Sequence, residues 1–323
     1  MSEVNRLYKM LFGALKALLR IVIVMLISGF ITLALVRNFV QPPSAAVLGR
    51  HASVSERANF DENLWKTHGL LQSYGELLWR YSKGDWGKSY TDSSDIRSEF
   101  LQRLRLSAAL IFPGALLAHL IALVAALSSV RLAVFAQLSL AAGVLLSAIF
   151  TQYVLSHPSA LNLLPILQFN ASVFSAGWLN YLSAIAAPSV AIVLGGFGLL
   201  YPHYKALQTL ALESPQLLAQ QALGMPRWYQ WRAALSLVQA PAAARLLLSV
   251  PMLILSGSVV LEAVFNAPGI GQFAHAAAQN ADAPALLAVA MIGSGLIAAS
   301  VSLSDYVLAQ LDPRIGTRIG TNS

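Results

Sequence analysis

The chain has 323 residues, of which 57% are hydrophobic and only 11% are charged, with a net charge of +7. An average soluble domain carries about 25% charged residues, so this composition argues against a soluble enzyme, a disordered chain and a nucleic-acid-binding module. The absence of cysteine excludes a disulfide framework, a thiolate metal site and a cysteine nucleophile. The class that remains is an all-α integral membrane protein.

The first predicted membrane span covers residues 13–36. The head before and within it is basic, which predicts a cytoplasmic N-terminus; its charges are Arg6, Lys9, Lys16 and Arg20 against Glu3 alone. A cleaved signal peptide, with a cut near Ser44-Ala45-Ala46, is the alternative. Because the apolar run is longer than the usual h-region of about 7–15 residues, we expect an uncleaved anchor.

Residues 38–104 differ in character, since acidic and basic side chains are mixed throughout. The pattern predicts a water-exposed segment on the outer side of the membrane. We therefore divide the chain into residues 1–104, which hold the cytoplasmic head, the first span and the outer segment, and residues 105–323, which hold a five-helix core.

Five further apolar runs predict the remaining spans, at residues 106–130, 132–155, 181–200, 242–265 and 286–308. Six spans place both termini in the cytoplasm. The basic loop at 203–241 and the basic tail then lie inside, and the 266–284 loop, which has no Lys or Arg, lies outside.

A Gly-Lys-Ser sequence at residues 87–89 has the ending of a phosphate-binding loop. Such a loop needs a glycine five residues before Gly87, where this chain has Ser82, and it needs a preceding hydrophobic strand. We expect no nucleotide site here. The six histidines are scattered, so no metal site is predicted either, and no catalytic constellation is present in the sequence.

Three polar residues, His119, Glu262 and Asp305, lie inside predicted spans. Such groups are costly in lipid and are functional candidates, which leaves a proton-coupled secondary transporter as an alternative function. The alternative for each residue is a hydrogen bond to a neighbouring helix. Runs of small residues, such as Gly195-Gly196 and Gly293-Ser294-Gly295, predict close helix packing.

The 203–241 loop is predicted to contain two helices joined by an elbow. Residues 207–223 are amphipathic, Gly224-Met225-Pro226 is a helix stop, and residues 227–237 form a second short helix that ends before Pro241. An elbow of this kind on the cytoplasmic face favours protein docking. The alternative is an interfacial helix that lies on the lipid headgroups.

The residues quoted so far resemble one family, the permease subunits of binding-protein-dependent ABC importers of the dipeptide, oligopeptide and nickel class. Residues 84–89 are similar to its Gly-Asp-x-Gly-x-Ser stretch, and residues 218–224 to its Glu-Ala-Ala-x3-Gly coupling loop, with Leu218 at the acidic position and Gln220 at the second alanine. Residues 262–271 are similar to Glu-x-Val-Phe-x-x-Pro-Gly-Leu-Gly, and residues 311–314 to its Leu-Asp-Pro-Arg tail.

The resemblance implies a type I importer fold of six transmembrane helices in a bacterial inner membrane. It implies a second homologous permease, an extracytoplasmic solute-binding protein, and two ATPase subunits that use ATP and Mg while this chain binds no cofactor and catalyses no reaction. The implied coupling residues are Leu218, Ala219, Gln220, Ala222, Leu223, Gly224 and Pro241. The implied motif residues of the later loop and tail are Glu262, Phe265, Pro268, Gly269, Gly271, Asp305, Asp312, Pro313 and Arg314.

The transported solute is then a peptide or a similar small molecule. A third possibility is a membrane scaffold or assembly factor that transports nothing. The three hypotheses differ in their partners, because a carrier purifies alone whereas a permease purifies with ATPases.

Overall fold

The computed structural model describes residues 3–39, 69–128, 132–156, 177–265, 267–280 and 282–311, with a few isolated positions between 44 and 59. These residues are helical, and they contain no strand beyond an isolated bridge between Lys88 and Asp95. The prediction of an all-α protein is therefore confirmed for this part of the chain. The predicted tail residues Asp312, Pro313 and Arg314 lie outside the described residues.

Ten α-helices are present in the described ranges. In chain order they are α1 (Glu3–Phe39), α2 (Leu70–Ser82), α3 (Ile96–Leu127), α4 (Ala133–Ser156), α5 (Trp178–Leu212), α6 (Pro215–Ala222), α7 (Arg227–Met252), α8 (Ser258–Val264), α9 (Ile270–Gln279) and α10 (Ala283–Leu311). A π-helical turn, Leu253–Gly257, joins α7 to α8.

Five helical segments of the described residues are long and apolar enough to cross a membrane, as expected of a multi-pass membrane protein. They are Leu11–Asn38, Ile96–Leu127, Ala184–Leu212, Trp228–Leu255 and Ala283–Leu311. The remaining predicted span, residues 132–155, coincides with α4, in which Ala133–Gly143 forms a shorter apolar segment.

Proline does not end the helix at residue 241, and that prediction was wrong. Helix α7 passes through Pro241 without interruption, and α5 likewise continues to Leu212, so the predicted 203–241 loop shrinks to residues around α6. Proline is tolerated inside transmembrane helices because neighbouring groups satisfy the carbonyl that it leaves without an N–H donor.

The chain divides into two compact units, Met1–Arg105 with Pro268–Ala299, and Leu106–Ala267 with Ser300–Ser323. In the first unit, Tyr74 of α2 packs with Leu33 and Leu287, and its hydroxyl donates to the Leu26 carbonyl at 2.6 Å. Ser28 and Ser294 share a hydrogen bond of 2.7 Å. Large apolar side chains of α1 are more than half exposed, as lipid-facing residues would be; they include Leu11, Leu15, Leu18 and Leu19.

The second unit is packed through small residues. A Cβ placed on Gly143 would lie 2.7 Å from the Gly195 backbone nitrogen, and one on Gly196 would lie 2.8 Å from the Ala118 Cβ. Side chains at these positions would push α3, α4 and α5 apart, so the helices need glycine there. Phe197, Tyr201 and Tyr204 fill the adjoining core together with alanines of α3. The predicted packing role of this small-residue run is confirmed.

Candidate functional site

The elbow is built around the short helix α6, and its bounds follow from local sequence. Ser214 is the N-cap, where its hydroxyl accepts from the Leu217 N–H at 3.4 Å, and Pro215 takes the first helical position. The helix ends in a Schellman motif, in which Met225 N–H donates to the Gln220 carbonyl and Gly224 N–H to the Gln221 carbonyl, each at 3.0 Å.

Gly224 has a φ of +63°, in the left-handed region that favours glycine. A Cβ at this position would meet no atom within 4 Å, so the requirement for glycine comes from the backbone alone. The Gln230 side chain donates to the Met225 carbonyl at 3.0 Å and braces the turn against the start of α7. The turn is therefore a defined structure between two helices.

One side of the elbow is anchored in the second unit. Leu217 is fully buried in a cluster with Leu127 of α3 and Ala234 of α7. Gln208 of α5 donates to the Leu127 carbonyl at 3.0 Å. Leu217 thus attaches α6 to α3 and α7, and Gln208 ties α5 to the same end of α3.

Lys205 of α5 adds a further tie to the same helix end. Its ammonium group donates to the carbonyls of Ala126 at 3.0 Å and Ser128 at 2.9 Å, at the end of α3. A cation at a helix C-terminus also interacts favourably with the helix dipole. A displacement of α6 would accordingly be transmitted to α3, α5 and α7.

The other side of the elbow is exposed and apolar. Leu218 is 51% exposed and Leu223 is 78% exposed, whereas the neighbouring Leu217 is fully buried. Three aromatic residues at the start of α7 extend the surface, namely Trp228, Tyr229 and Trp231, and the rings of Trp228 and Tyr229 stack at 3.7 Å. We call Leu218, Leu223, Trp228, Tyr229 and Trp231 the elbow surface.

The sequence-predicted coupling residues divide between these two sides. Leu218, Ala219, Ala222, Leu223 and Gly224 are exposed on or beside the elbow surface, and Gln220 is partly buried. The side-chain oxygen of Gln220 is buried, and no group of the described residues donates to it. Pro241 lies about 17 residues farther along, inside α7, and is not part of the elbow. The aromatic residues of α7 were not predicted, although their position directly after the helix stop was a visible signal.

Glu262 lies elsewhere in the second unit and is buried. Its carboxylate accepts a hydrogen bond of 2.6 Å from Ser107 of α3, and both side chains are fully inaccessible. Phe265, in the turn that follows α8, is also buried. Asp305 of α10 is exposed.

The later motif residues belong to the first unit. Gly269 is the N-cap of α9 and Gly271 is buried in its first turn, while Pro268 precedes them. Asp282, at the start of α10, accepts a hydrogen bond of 2.5 Å from Ser89 and one of 3.3 Å from the Ala285 N–H. The Gly-Lys-Ser sequence is thus part of a structural joint, since Ser89 is buried against Asp282.

His119 is a buried hydrogen-bonding centre of the second unit. Its Nδ1 lies 2.5 Å from the Tyr204 hydroxyl and its Nε2 lies 2.8 Å from the Ser249 hydroxyl, so it joins α3, α5 and α7. Ser107, the partner of Glu262, lies twelve residues before His119 on α3, which is about 18 Å along the helix. His119 and Glu262 therefore do not form one proton-binding group.

Among the described residues, no group of three or more acidic, histidine or cysteine side chains is arranged to hold a metal ion. A scan against models of protein families finds no match for this chain, and a search of curated proteins finds none either.

Proposed function

We propose that this chain is the permease subunit of an ATP-driven importer for peptides or a similar small solute. In this proposal α4 is the sixth span beside the five long apolar helices. The chain pairs with a second, homologous permease in a bacterial inner membrane with both termini in the cytoplasm, and an extracytoplasmic binding protein delivers the solute. The resemblance of the elbow, the Glu262–Gly271 stretch and the tail to such permeases supports the proposal.

The observation that carries the proposal is the two-sided elbow. Its elbow surface presents apolar and aromatic side chains that a soluble partner would cover, and tryptophan and tyrosine are enriched among the residues that contribute most binding energy in protein interfaces. Its buried side packs α6 on α3 and α7 through Leu217, and Gln208 and Lys205 tie α5 to the same end of α3. An ATPase that binds the exposed side and changes its position on ATP binding would move these helices together, which is how one site biases another between two states.

The test is a pair of charged substitutions, Ala219→Asp and Gly224→Asp, in the fully assembled complex. Each places an unpaired carboxylate next to the elbow surface, where burial under a partner is costly. We expect ATP-driven uptake of labelled peptides into proteoliposomes to be lost, together with co-purification of the ATPase subunits. Membrane insertion is expected to be unchanged for Ala219→Asp, since that residue is exposed.

Gly75→Asp is the matched control, because Gly75 is an exposed helical glycine of α2 with open space around its Cβ. Normal uptake in Ala219→Asp and Gly224→Asp would contradict the proposed role of the elbow. Purification of the wild-type chain without any ATPase would favour the proton-coupled carrier or a membrane scaffold instead.

A further inference from the structure

Arg245 is a charged residue in the middle of a candidate membrane span for which no described residue of the chain provides an acceptor. It lies on α7 within the candidate span Trp228–Leu255, and its side chain is exposed in the isolated chain. An arginine is always charged, and a charge inside a membrane is expensive unless it is paired. No hydrogen bond or ion pair to Arg245 is formed by the part of the chain that the structure describes.

The depth of Arg245 can be measured from its neighbours. Ser249, one helical turn along α7, bonds to His119, and His119 lies eight residues before the end of α3, about 12 Å from it along the helix. Arg245 is also thirteen residues, about 20 Å along the helix, beyond the exposed Arg232 near the start of α7. It is therefore well inside the apolar part of the span.

The polar groups around Arg245 are hydrogen-bonded to one another. The Tyr204 and Ser249 hydroxyls each share a hydrogen bond with one ring nitrogen of His119, and Ser249 also lies within hydrogen-bonding distance of the Leu246 carbonyl. The ring of His203 lies 5.6 Å from that of Tyr204. Arg245 interacts electrostatically with His119, His203 and Tyr204.

The acidic residues of the neighbouring helices do not neutralise Arg245. Glu262 lies seventeen residues farther along the chain, about 25 Å at the helical rise, and bonds to Ser107. Asp305 is on α10, where Ser304 bonds to the Ala244 carbonyl, yet Asp305 forms no ion pair with Arg245. The guanidinium of Arg245 thus presents a positive charge on the surface of the isolated chain.

We infer that Arg245, held beside the His119–Tyr204–Ser249 cluster, binds a carboxylate of the transported solute within the membrane. Arginine presents two parallel N–H donors that match a carboxylate. The choice of solute rests on the proposed function, because peptides end in such a group. A phosphate of a lipid headgroup shares this anionic chemistry, so the experiment separates the two sources.

The experiment uses the full chain in phosphatidylcholine nanodiscs. The probes are N-acetyl-dialanine, which ends in a carboxylate, and its C-terminal amide, which ends in a neutral carboxamide. Saturation-transfer NMR is expected to detect the acid and not the amide. Arg245→Gln is expected to weaken binding of the acid at least tenfold, and Arg245→Lys several-fold, because lysine keeps the charge but loses the fork.

Arg232→Gln is the matched control, since it removes the same charge from an exposed position of the same helix, and it is expected to bind as the wild type does. Equal binding by wild type and Arg245→Gln, equal binding of acid and amide, or no binding of the acid by the wild type would each overturn the inference.

Two further measurements distinguish a lipid phosphate from the solute carboxylate, and test the binding site independently of the proposed function. Loss of acid binding when a third of the lipid is phosphatidylglycerol would assign Arg245 to a headgroup and overturn the solute site. Co-purification with ATPases is measured on the same preparations. A chain that binds the acid through Arg245 but purifies without ATPases would keep the site and contradict the permease proposal.

Discussion

Two turns of this protein have the same backbone and opposite surroundings. Helix α2 ends two residues before Gly84 and helix α6 two residues before Gly224, each in a Schellman motif with glycine at positive φ. After Gly84 the chain enters the structural joint of the first unit, in which Ser89 is buried against Asp282. After Gly224 it enters the elbow of the second unit, where large apolar side chains remain exposed.

The side chains of the joint contact one another and neighbouring residues of the first unit. Trp86 lies between Tyr81, with stacked rings 5.9 Å apart, and Phe100, whose ring meets it edge-on at 5.6 Å. Asp85 accepts from Arg80 and from the Gly87 N–H, both at 2.9 Å. Ser89 is bonded to Asp282. Asp85 and Ser89 of this turn thus find their partners within the chain, so the joint is structural.

The elbow differs because Ser214 and Gln230 form hydrogen bonds with its backbone, whereas the large apolar side chains of the elbow surface remain exposed. The comparison teaches that a helix-ending glycine identifies a turn but carries no information on function. What distinguishes a docking surface from a structural joint is whether the side chains that follow the glycine find partners within the chain.

The largest effect is expected at the buried side of the elbow. Leu217→Ala should lower the free energy of unfolding by about 2–4 kcal/mol, because it leaves a cavity among Leu127 and Ala234. Leu218→Ala, one residue away and half exposed, should change it by less than about 0.5 kcal/mol. Denaturant unfolding in detergent micelles measures both, and equal losses would show that the two sides of the elbow do not differ.

The joint should lose stability when its buried acid is removed. Asp282→Ala takes away the acceptor for the Ser89 hydroxyl and for the Ala285 N–H, which should cost about 2–3 kcal/mol. The same unfolding assay measures this loss. If Ser89→Ala with Asp282→Ala costs as much as the sum of the two single variants, the two side chains are not coupled and the joint is not closed by this pair.

A substitution at Tyr81 is expected to raise the free energy of unfolding. Its hydroxyl is buried, no group of the described residues bonds to it, and burial raises the pKa of this phenol. Tyr81→Phe removes an unsatisfied polar group and keeps the stacking on Trp86, so the free energy of unfolding should rise by about 1 kcal/mol. A loss of stability would mean that the hydroxyl has a partner that the fold does not provide.

The smallest effect concerns Asp85, whose carboxylate is exposed. The Arg80 guanidinium and then the Gly87 N–H hold the pKa of Asp85 below its ordinary value of 3.8. A carboxyl group with a lowered pKa stabilises the fold above its unfolded pKa, and this contribution is lost as the pH falls through the folded value. Asp85→Asn should therefore be less stable than the wild type at pH 7, and the two melting curves should converge below pH 3.8. Curves that stay parallel would contradict the pairing.

Local signals predicted the elbow well. Gly224 acts through its own backbone, so the end of α6 could be read from the sequence. The single helix predicted over residues 207–223 was wrong, because α5 ends at Leu212 and α6 begins at Pro215 with Ser214 as its N-cap. Pro241 shows the limit of such reasoning, because the surroundings of α7 permit a proline that would end a helix in water. The polar residues His119 and Glu262 were noticed because they interrupt apolar runs, whereas their partners Tyr204, Ser249 and Ser107 lie up to 155 residues away in the chain.

Arg245 was missed, although a single arginine between Pro241 and Glu262 was visible in the apolar run. Its importance depends on which groups face it, and that is a property of three helices at once. The aromatic residues of the elbow surface were missed for a related reason, since exposed and buried tryptophans look alike in a sequence.

The sequence by itself determined the class of this protein, because too few charges for a soluble surface and long apolar runs leave a helical membrane protein. It also determined where α6 ends, since a left-handed glycine turn depends on the local backbone. Only the tertiary structure decided which of the two turns packs its side chains against the chain and which leaves them exposed. It also decided which polar groups are paired and that no described acidic residue pairs with Arg245. Burial and pairing arise between residues distant in the chain, and their energies depend on what each side chain meets after the helices have packed.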